Sequence, residues 1–316
     1  MDFVNTPAPR IAILIPAFNA AAFIAETLDS VLAQTLPAAE IIVVDDGSAD
    51  NSAEIAAGFS PRIKVLRQKN SGTAGARQSG ADVTNSELIL SVDADDILLP
   101  DTLARLADAL RANPAAVLAA GPAELWTPGT ANPSAPDTEV LWLDEKNLWR
   151  GLLSGNCIRT SGCALMRRTA LVAAGGWDAD RQLMGSEDWE LWLRLAEQGP
   201  FARVPGTVLK YRLHSNSFTV TRRRKMFSSA FFMLAKHRAR WRHDRDRSAA
   251  IADAEWNNCC NVTRATLQDA RTDLARGKFG PTFGALAETA RLGTRPLAER
   301  ILTFPRRHWT RAVRGV

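Results

Sequence analysis

Through the first 120 residues, short apolar runs alternate with stretches whose apolar positions recur at helical spacing. "IAILI" (Ile11–Ile15), "IIVV" (Ile41–Val44), "IKVL" (Ile63–Leu66) and "ELILSV" (Glu87–Val92) read as strands. Between them, "AAFIAETLDSVLAQ" carries Ile24, Leu28, Val31 and Leu32 on one helical face. Further helices are expected near "NSAEIAAGF", around the glycine-bearing "GTAGARQSGADV", and over "PDTLARLADALRAN", with Pro100 at the first helical position of the last. Alternating strand and helix predicts an α/β chain with a mostly parallel central sheet covered by helices on both faces.

The pattern then changes. Residues 121–145 are rich in Pro, Gly, Ala and Thr and read as an irregular excursion. "GSEDWELWLRLAEQGP" is a helix with Trp189, Leu193 and Ala196 on one side, and from Arg222 the chain reads as helical and basic. No repeat recurs at solenoid spacing. Charge follows the same division. Residues 1–221 carry 18 Lys and Arg against 26 Asp and Glu, whereas residues 222–316 carry 21 against 8. A basic tail of this kind is built to meet something anionic. The first of the nine tryptophans is Trp126, and large flat rings suit a sugar-binding face as well as a core.

The four cysteines (Cys157, Cys163, Cys259 and Cys260) make neither a zinc spacing nor a secreted disulfide framework, which points to a reducing compartment. "MDFVNTPAPR" has neither the basic start nor the apolar core of a signal peptide. The uncharged run Ile11–Ala25 is broken by Pro16 and Asn19 and falls short of the ~20 residues that span a bilayer. No integral membrane protein is expected.

Three polar clusters each follow a predicted strand: "PAFN" (Pro16–Asn19), "DDGS" (Asp45–Ser48) and "DADD" (Asp93–Asp96). Ligands of open parallel sheets bind at the carboxyl ends of the strands, so all three could line one crevice. "DDGS" alone would also serve as a turn. Asp93, Asp95 and Asp96 lie close enough to repel one another and raise each other's proton affinity unless something positive sits between them. A divalent cation is the simplest partner, because Mg²⁺ and Mn²⁺ favour hard oxygen ligands and keep positions for substrate phosphates. Asp96 and Asp101 also suit a helix N-terminus.

Taken in order, "IAILIPAFNA", "EIIVVDDGSADNS", "NSGTAGARQSG" and "LILSVDADD" closely resemble the nucleotide-sugar half of glycosyltransferase family 2. "GGWD", "SEDWELWLRLAEQGP" and "YRLHSNS" resemble its acceptor half, so the likeness covers about residues 10–220. The resemblance implies a GT-A fold over 1–221, with a nucleotide-sugar half to about 105 and an acceptor half over 106–221, followed by a helical extension, 222–316. It implies a nucleotide-diphosphate sugar donor, a UDP-sugar first among them, a divalent metal (Mn²⁺ or Mg²⁺), and inversion at the anomeric carbon.

Matching positions carry the roles. Pro16, Ala17, Phe18 and Asn19 would line the base pocket, with Asp46 accepting a hydrogen bond from the base and Asp45 close by. Arg77 would lie near the nucleotide, with Gln78 standing where the family has Asn. Asp93 is expected near the ribose or a metal-bound water, Asp95 on the metal, and His214 facing the diphosphate or metal. Asp188 of "SEDW" would be the general base, although Glu187 and Asp188 also suit the start of a helix. Glu187, Trp177, Asp178 and Trp189 would contact the acceptor or support the base, with Asn156, Arg159 and Ser161 as further acceptor-side candidates.

Two rival classes carry similar features. Haloacid-dehalogenase phosphohydrolases also place a D-x-D after a strand, its first Asp acting as nucleophile, but they expect Thr or Val where this chain has Ile97. A non-catalytic sugar-nucleotide-binding scaffold would have no use for Asp95 and Asp188. "HRARW" (His237–Trp241) lacks the Gln of a processive synthase's Q-x-x-R-W, so a single addition is expected. The resemblance implies as acceptor a glycan or lipid-linked hydroxyl in surface-polysaccharide assembly, with the protein on the cytoplasmic side, and no nucleic-acid partner is expected. Between two basic clusters, Met226–Ala235 is uncharged, and Phe227, Phe231, Leu234 and Trp241 fall near one helical face. Residues 222–242 therefore read as an interfacial helix suited to an anionic membrane, or as a helix packed on the catalytic domain.

Overall fold

The computed structural model describes residues 9–127, 148–214 and 223–275. Two compact units are present, 1–229 and 230–316.

The first unit is built on a seven-stranded sheet. β1 (Ile11–Ala17), β2 (Glu40–Asp45), β3 (Ile63–Arg67) and β4 (Leu88–Ser91) run parallel in the order β3-β2-β1-β4. Ile11 to Ile15 are all buried, as expected of a strand covered on both faces. β1 lies between β2 and β4, so the chain crosses from one side of the sheet to the other here. The carboxyl ends of these strands therefore splay to open a crevice.

The sheet continues through β8 (Ala164–Arg167), β6 (Leu118–Ala120) and β9 (Phe201–Arg203). β8 runs antiparallel to both β4 and β6. The residues that precede β8, rather than those that follow it, consequently emerge at the crevice. A smaller sheet pairs β10 (Leu209–Arg212) with β5 (Ile97–Leu98) and with β7 (Ala123–Trp126). The "DADD" loop is thereby anchored at both ends, by β4 in the large sheet and β5 in the small one.

Helices α1 (Ile24–Leu32), α2 (Ser52–Phe59), α3 (Thr73–Asp82) and α4 (Thr102–Ala112) follow the expected alternation. In α1, Ile24, Leu28 and Val31 are buried, while Leu32 at the fraying end is only partly so. α4 begins at Thr102 with Asp101 before it, and Pro100 lies in the preceding turn. α3 packs on β1 and β2 with Gly80 beneath it. A methyl group on Gly80 would lie 3.1 Å from Leu14 and 3.3 Å from Val44, so glycine sets how closely this helix approaches the sheet. α5 (Leu148–Ser154), α6 (Arg168–Ala173) and α7 (Glu187–Ala196) complete the unit. Most of the excursion expected over 121–145 lies outside the described residues, but its first part is the ordered strand β7.

α8 (Arg223–Arg240) and α9 (Arg245–Ala275) form the described part of the extension. In the second unit Met233, Leu234, Ile251 and Ala254 are buried, and Arg238 pairs with Glu255 at 3.2 Å across the two helices. Of the proposed interfacial face, Leu234 is thus taken up by packing. Phe231 and Trp241 are half-buried, with Arg247 3.7 Å above the Trp241 ring, and the side chain of Phe227 lies outside the described residues. No helix among the described residues is long and apolar enough to cross a membrane.

Candidate active site

A cavity of ≈ 540 Å3 opens at the carboxyl ends of β1, β2 and β4. Pro16, Ala17, Phe18 and Asn19, which follow β1, form one end of it, with the Phe18 ring exposed. Asn19 has a left-handed backbone (φ 52°) that only a few residue types tolerate. A mutual clasp holds it there: the Asn19 N–H donates to Ser48 Oγ at 3.0 Å, and the Ala49 N–H donates to Asn19 Oδ1 at 2.8 Å. The first two polar clusters are in this way locked to each other.

Asp46 is buried in the cavity wall. Its Oδ1 accepts from Gln68 Nε2 and the Ser71 N–H, and its Oδ2 from the Gly72 N–H, each at 2.8 Å. These bonds fix the loop between β3 and α3. One lone pair of Oδ2 is still open to a further donor. Asp45 accepts from the Ser48 N–H at 3.3 Å and is not part of the wall.

The protein itself supplies hydrogen-bond partners for the "DADD" carboxylates. Arg77 Nη2 donates to Asp93 Oδ1 at 2.7 Å, and Thr160 Oγ1 donates to Asp93 Oδ2 at 3.1 Å. His214 Nε2 lies 3.0 Å from Asp95 Oδ2, its ring tilted against Phe23 at 4.6 Å between centroids. Burial and then the charge of Asp93 raise the proton affinity of Asp95, with His214 opposing them. Asp96 is only 1% exposed, and burial followed by the charges of Asp95 and Asp93 pushes its carboxyl well above the usual range. It accepts the Arg212 N–H at 3.0 Å and faces inward, away from the cavity. Arg212 also reaches Asp95 O (2.7 Å) and Glu26 (2.7 Å), and Thr27 Oγ1 donates to Ala94 O and Asp96 O. The loop is therefore a rigid platform that presents Asp93 and Asp95.

The opposite wall is the start of α7. Glu187 and Asp188 both face the cavity. Asp188 Oδ1 accepts the Trp189 N–H at 2.6 Å, with Asn156 Nδ2 at 3.5 Å. Burial, then the adjacent charge of Glu187, raise its carboxyl to about 7, against the pull of Arg77. A carboxylate tuned to neutral pH is what general-base chemistry requires.

Asn156, Arg159 and Thr160 enter the cavity from the segment preceding β8. Thr160 was not foreseen, although it lies between Arg159 and Ser161. Ser161 itself is fully buried. Met184, Tyr211 and Met226 also line the cavity, although none of them was singled out as a site residue in the sequence.

Three further candidates stand behind the wall. Trp177 is buried, its N–H donating to Gln78 Oε1 at 2.8 Å. Trp189 Nε1 donates to Leu152 O at 2.6 Å, and Asp178 Oδ1 accepts the Asp180 N–H at 3.0 Å. Gln78, the departure from the family pattern, thus joins α3 to the "GGWD" turn. Arg194 holds the same turn from α7, through Ala174 O and Gly176 O.

Among the described residues, no group of three or more His, Cys, Asp or Glu is placed to hold a metal ion. The carboxylates of Asp93 and Asp95 instead fit a cation shared with substrate phosphates, which needs only one or two protein carboxylates.

The chain is similar to known proteins in sequence and in fold. The model of Glycosyl transferase family 2 matches residues 12–173. The uncharacterized glycosyltransferase EpsJ of Bacillus subtilis is 36% identical over 116 residues, 36% of this chain and 34% of that protein. An uncharacterized glycosyltransferase of Rickettsia felis is 26% identical over 221 residues, 67% of this chain and 35% of the relative. The chain thus spans about a third of these relatives' lengths. Among solved structures, S. aureus TarS 1–349 in complex with UDP-GlcNAc superposes with a TM-score of 0.56 at 16% identity, over 72% of this chain and 66% of that one. The complex of the same protein with UDP gives 0.52 at 18% identity, over 71% and 65%. The fold is of the GT-A type, and the chain belongs to glycosyltransferase family 2.

Proposed function

We propose that this chain transfers a single sugar from a nucleotide-diphosphate donor, a UDP-sugar, to a hydroxyl of a glycan or lipid-linked acceptor in cell-surface polysaccharide assembly. The observation that carries this reading is the pairing, across one cavity, of the Asp93 and Asp95 platform with an Asp188 carboxyl raised to about 7. The UDP and UDP-GlcNAc complexes of TarS support the choice of donor.

Pro16, Ala17, Phe18 and Asn19 receive the base, and the open lone pair of Asp46 Oδ2 accepts its N–H. Asp95, with Asp93 beside it, would hold Mn²⁺ or Mg²⁺, which when bound offsets the charge developing on the leaving diphosphate, and His214 orients Asp95. Asp188 removes the proton of the acceptor hydroxyl as that oxygen bonds to C1. The bond from C1 to the diphosphate oxygen breaks, and the nucleoside diphosphate leaves with the electron pair. Direct attack opposite the leaving group inverts the anomeric carbon. Trp177, Asp178 and Trp189 buttress the wall that carries the base, and Glu187 adjusts its charge. The extension would keep the enzyme at the cytoplasmic face of an anionic membrane through its basic residues, with Phe231 and Trp241 rather than the buried Leu234 at the interface.

Incubation with a panel of nucleotide sugars, with and without Mn²⁺, tests the reading. Metal-dependent release of nucleoside diphosphate is expected with one donor. Phosphate release from an aryl phosphate, with every nucleotide sugar left intact, would move the chain to the phosphohydrolases.

A further inference from the structure

Arg77 sits where the two walls of the cavity meet. It projects from α3, is 3% exposed, and donates through Nη2 to Asp93. Its Nη1 faces Glu187 Oε1 at 3.8 Å, beyond hydrogen-bond reach. Neither Nε nor Nη1 has a hydrogen-bond partner among the described residues. A buried guanidinium left so incompletely bonded costs stability, and an apolar side chain of similar length would fill the same space without that cost. Packing alone therefore does not account for Arg77. Charge does.

The groups that face Asp188 come from four places. Glu187 lies beside it on α7, Asp93 is presented by the loop after β4, Arg77 projects from α3, and Cys163 and Asn156 come from the segment before β8. Cys163 is buried and neutral, because burial pushes its thiol far above the usual range. Arg159 is exposed at the rim of the same cavity. Two carboxylates and burial thus favour a protonated Asp188, and Arg77 is the buried cation that opposes them. The Arg77 guanidinium stays charged itself: burial works against it, and the charges of Asp93, Glu187 and Asp188 prevail.

We propose that Arg77 is a positioning residue for proton transfer, its one charge shared between the Asp93 wall and the Glu187–Asp188 wall so that Asp188 stands ready to accept a proton at neutral pH. This role rests on Asp188 being the base. It differs from contact with the nucleotide, because it acts through Asp188 and would show in the pH dependence of the rate.

The test is the pH profile of kcat for sugar transfer in the wild type, Arg77→Gln, Arg77→Lys and Glu187→Gln, each first checked for a cooperative thermal transition. In Arg77→Gln the acidic limb is expected to move to higher pH by about 1 unit or more, with much of the lost activity regained on the alkaline side. Arg77→Lys retains the charge and should keep the limb near its wild-type position. Glu187→Gln removes the opposing charge and should move the limb to lower pH. A rate reduced equally at every pH in Arg77→Gln would overturn the proposal and leave Arg77 a structural residue. Should Arg77→Gln fail to fold, the other two variants decide, and an unmoved limb in Glu187→Gln counts against the proposal. Near-native transfer by Asp188→Asn would instead overturn the assignment of the base itself, so the two failures are distinguishable.

Discussion

The two walls of the cavity are made by opposite means. On the wall made by the strand ends the carboxylates are matched almost one for one: Arg77 on Asp93, His214 beside Asp95, and the Arg212 N–H on Asp96. On the wall made by the start of α7, Glu187 and Asp188 are adjacent, share the reach of one arginine, and are left with excess negative charge. The first arrangement suits groups held in place on a rigid platform. The second suits a group that must gain and lose a proton. One fold produces both because strand ends fix the donor loops, whereas a helix start places two acids side by side.

The largest expected effect tests the holding wall. Asp95→Asn, or excess chelator with the wild type, should abolish transfer and weaken nucleotide binding in Mn²⁺, measured by turnover and by calorimetry. Full activity after verified metal removal would erase the contrast between the walls.

Next comes the proton-transfer wall. Asp188→Asn should lower kcat by about 10²–10⁴ while donor affinity barely changes. Equal losses in both quantities would show that Asp188 holds the donor as well. In the wild type the base works only when unprotonated, so kcat should rise with pH and level off near the value of about 7 set for Asp188. Below that point each pH unit should lower the rate about tenfold.

A smaller effect concerns Thr160, which supports Asp93 from the segment before β8. Thr160→Val keeps the shape and removes the hydrogen bond to Asp93, with an expected loss of about 3–10-fold in kcat/KM, since one such bond contributes roughly 1 kcal/mol. An unchanged kcat/KM would assign the whole support of Asp93 to Arg77.

The two walls also differ in how plainly the sequence announced them. The strands β1, β2 and β4 were legible because each carries an apolar run that is buried in the fold and followed by its polar cluster, whereas β3, at the sheet edge, was read from its Ile63, Val65 and Leu66 alone. The later strands are short, two to four residues each, and pair with partners far away in the chain. Local pattern cannot report such pairing. Thr160 is hidden for a geometric reason: polar clusters after strand ends mark the crevice in the sequence, whereas the reversed β8 turns its leading segment toward it instead. Arg212 escaped because its work is done on the Asp95 backbone carbonyl and a distant glutamate. Asp188 was visible through its motif, but two of the groups that set its proton affinity lie far away in the chain: Asp93, which raises it, in the loop after β4, and Arg77, which lowers it, on α3. Trp177 was found by its motif too, although its position behind the wall depends on Gln78.

Gly176 lies in the turn held by that glutamine, with φ 74°, and a methyl group there would sit 2.1 Å from Gln78 Oε1. Positions 78 and 176 are consequently not independent loci. A shorter residue at 78 makes room but abandons the Trp177 N–H, while any side chain at 176 must both displace Gln78 and adopt a backbone conformation L-residues avoid. Variation at this pair is an epistatic valley, in which each single change is worse than its partner's background predicts. A second-site suppressor of a Gly176 substitution should therefore map to α3 rather than to the turn itself.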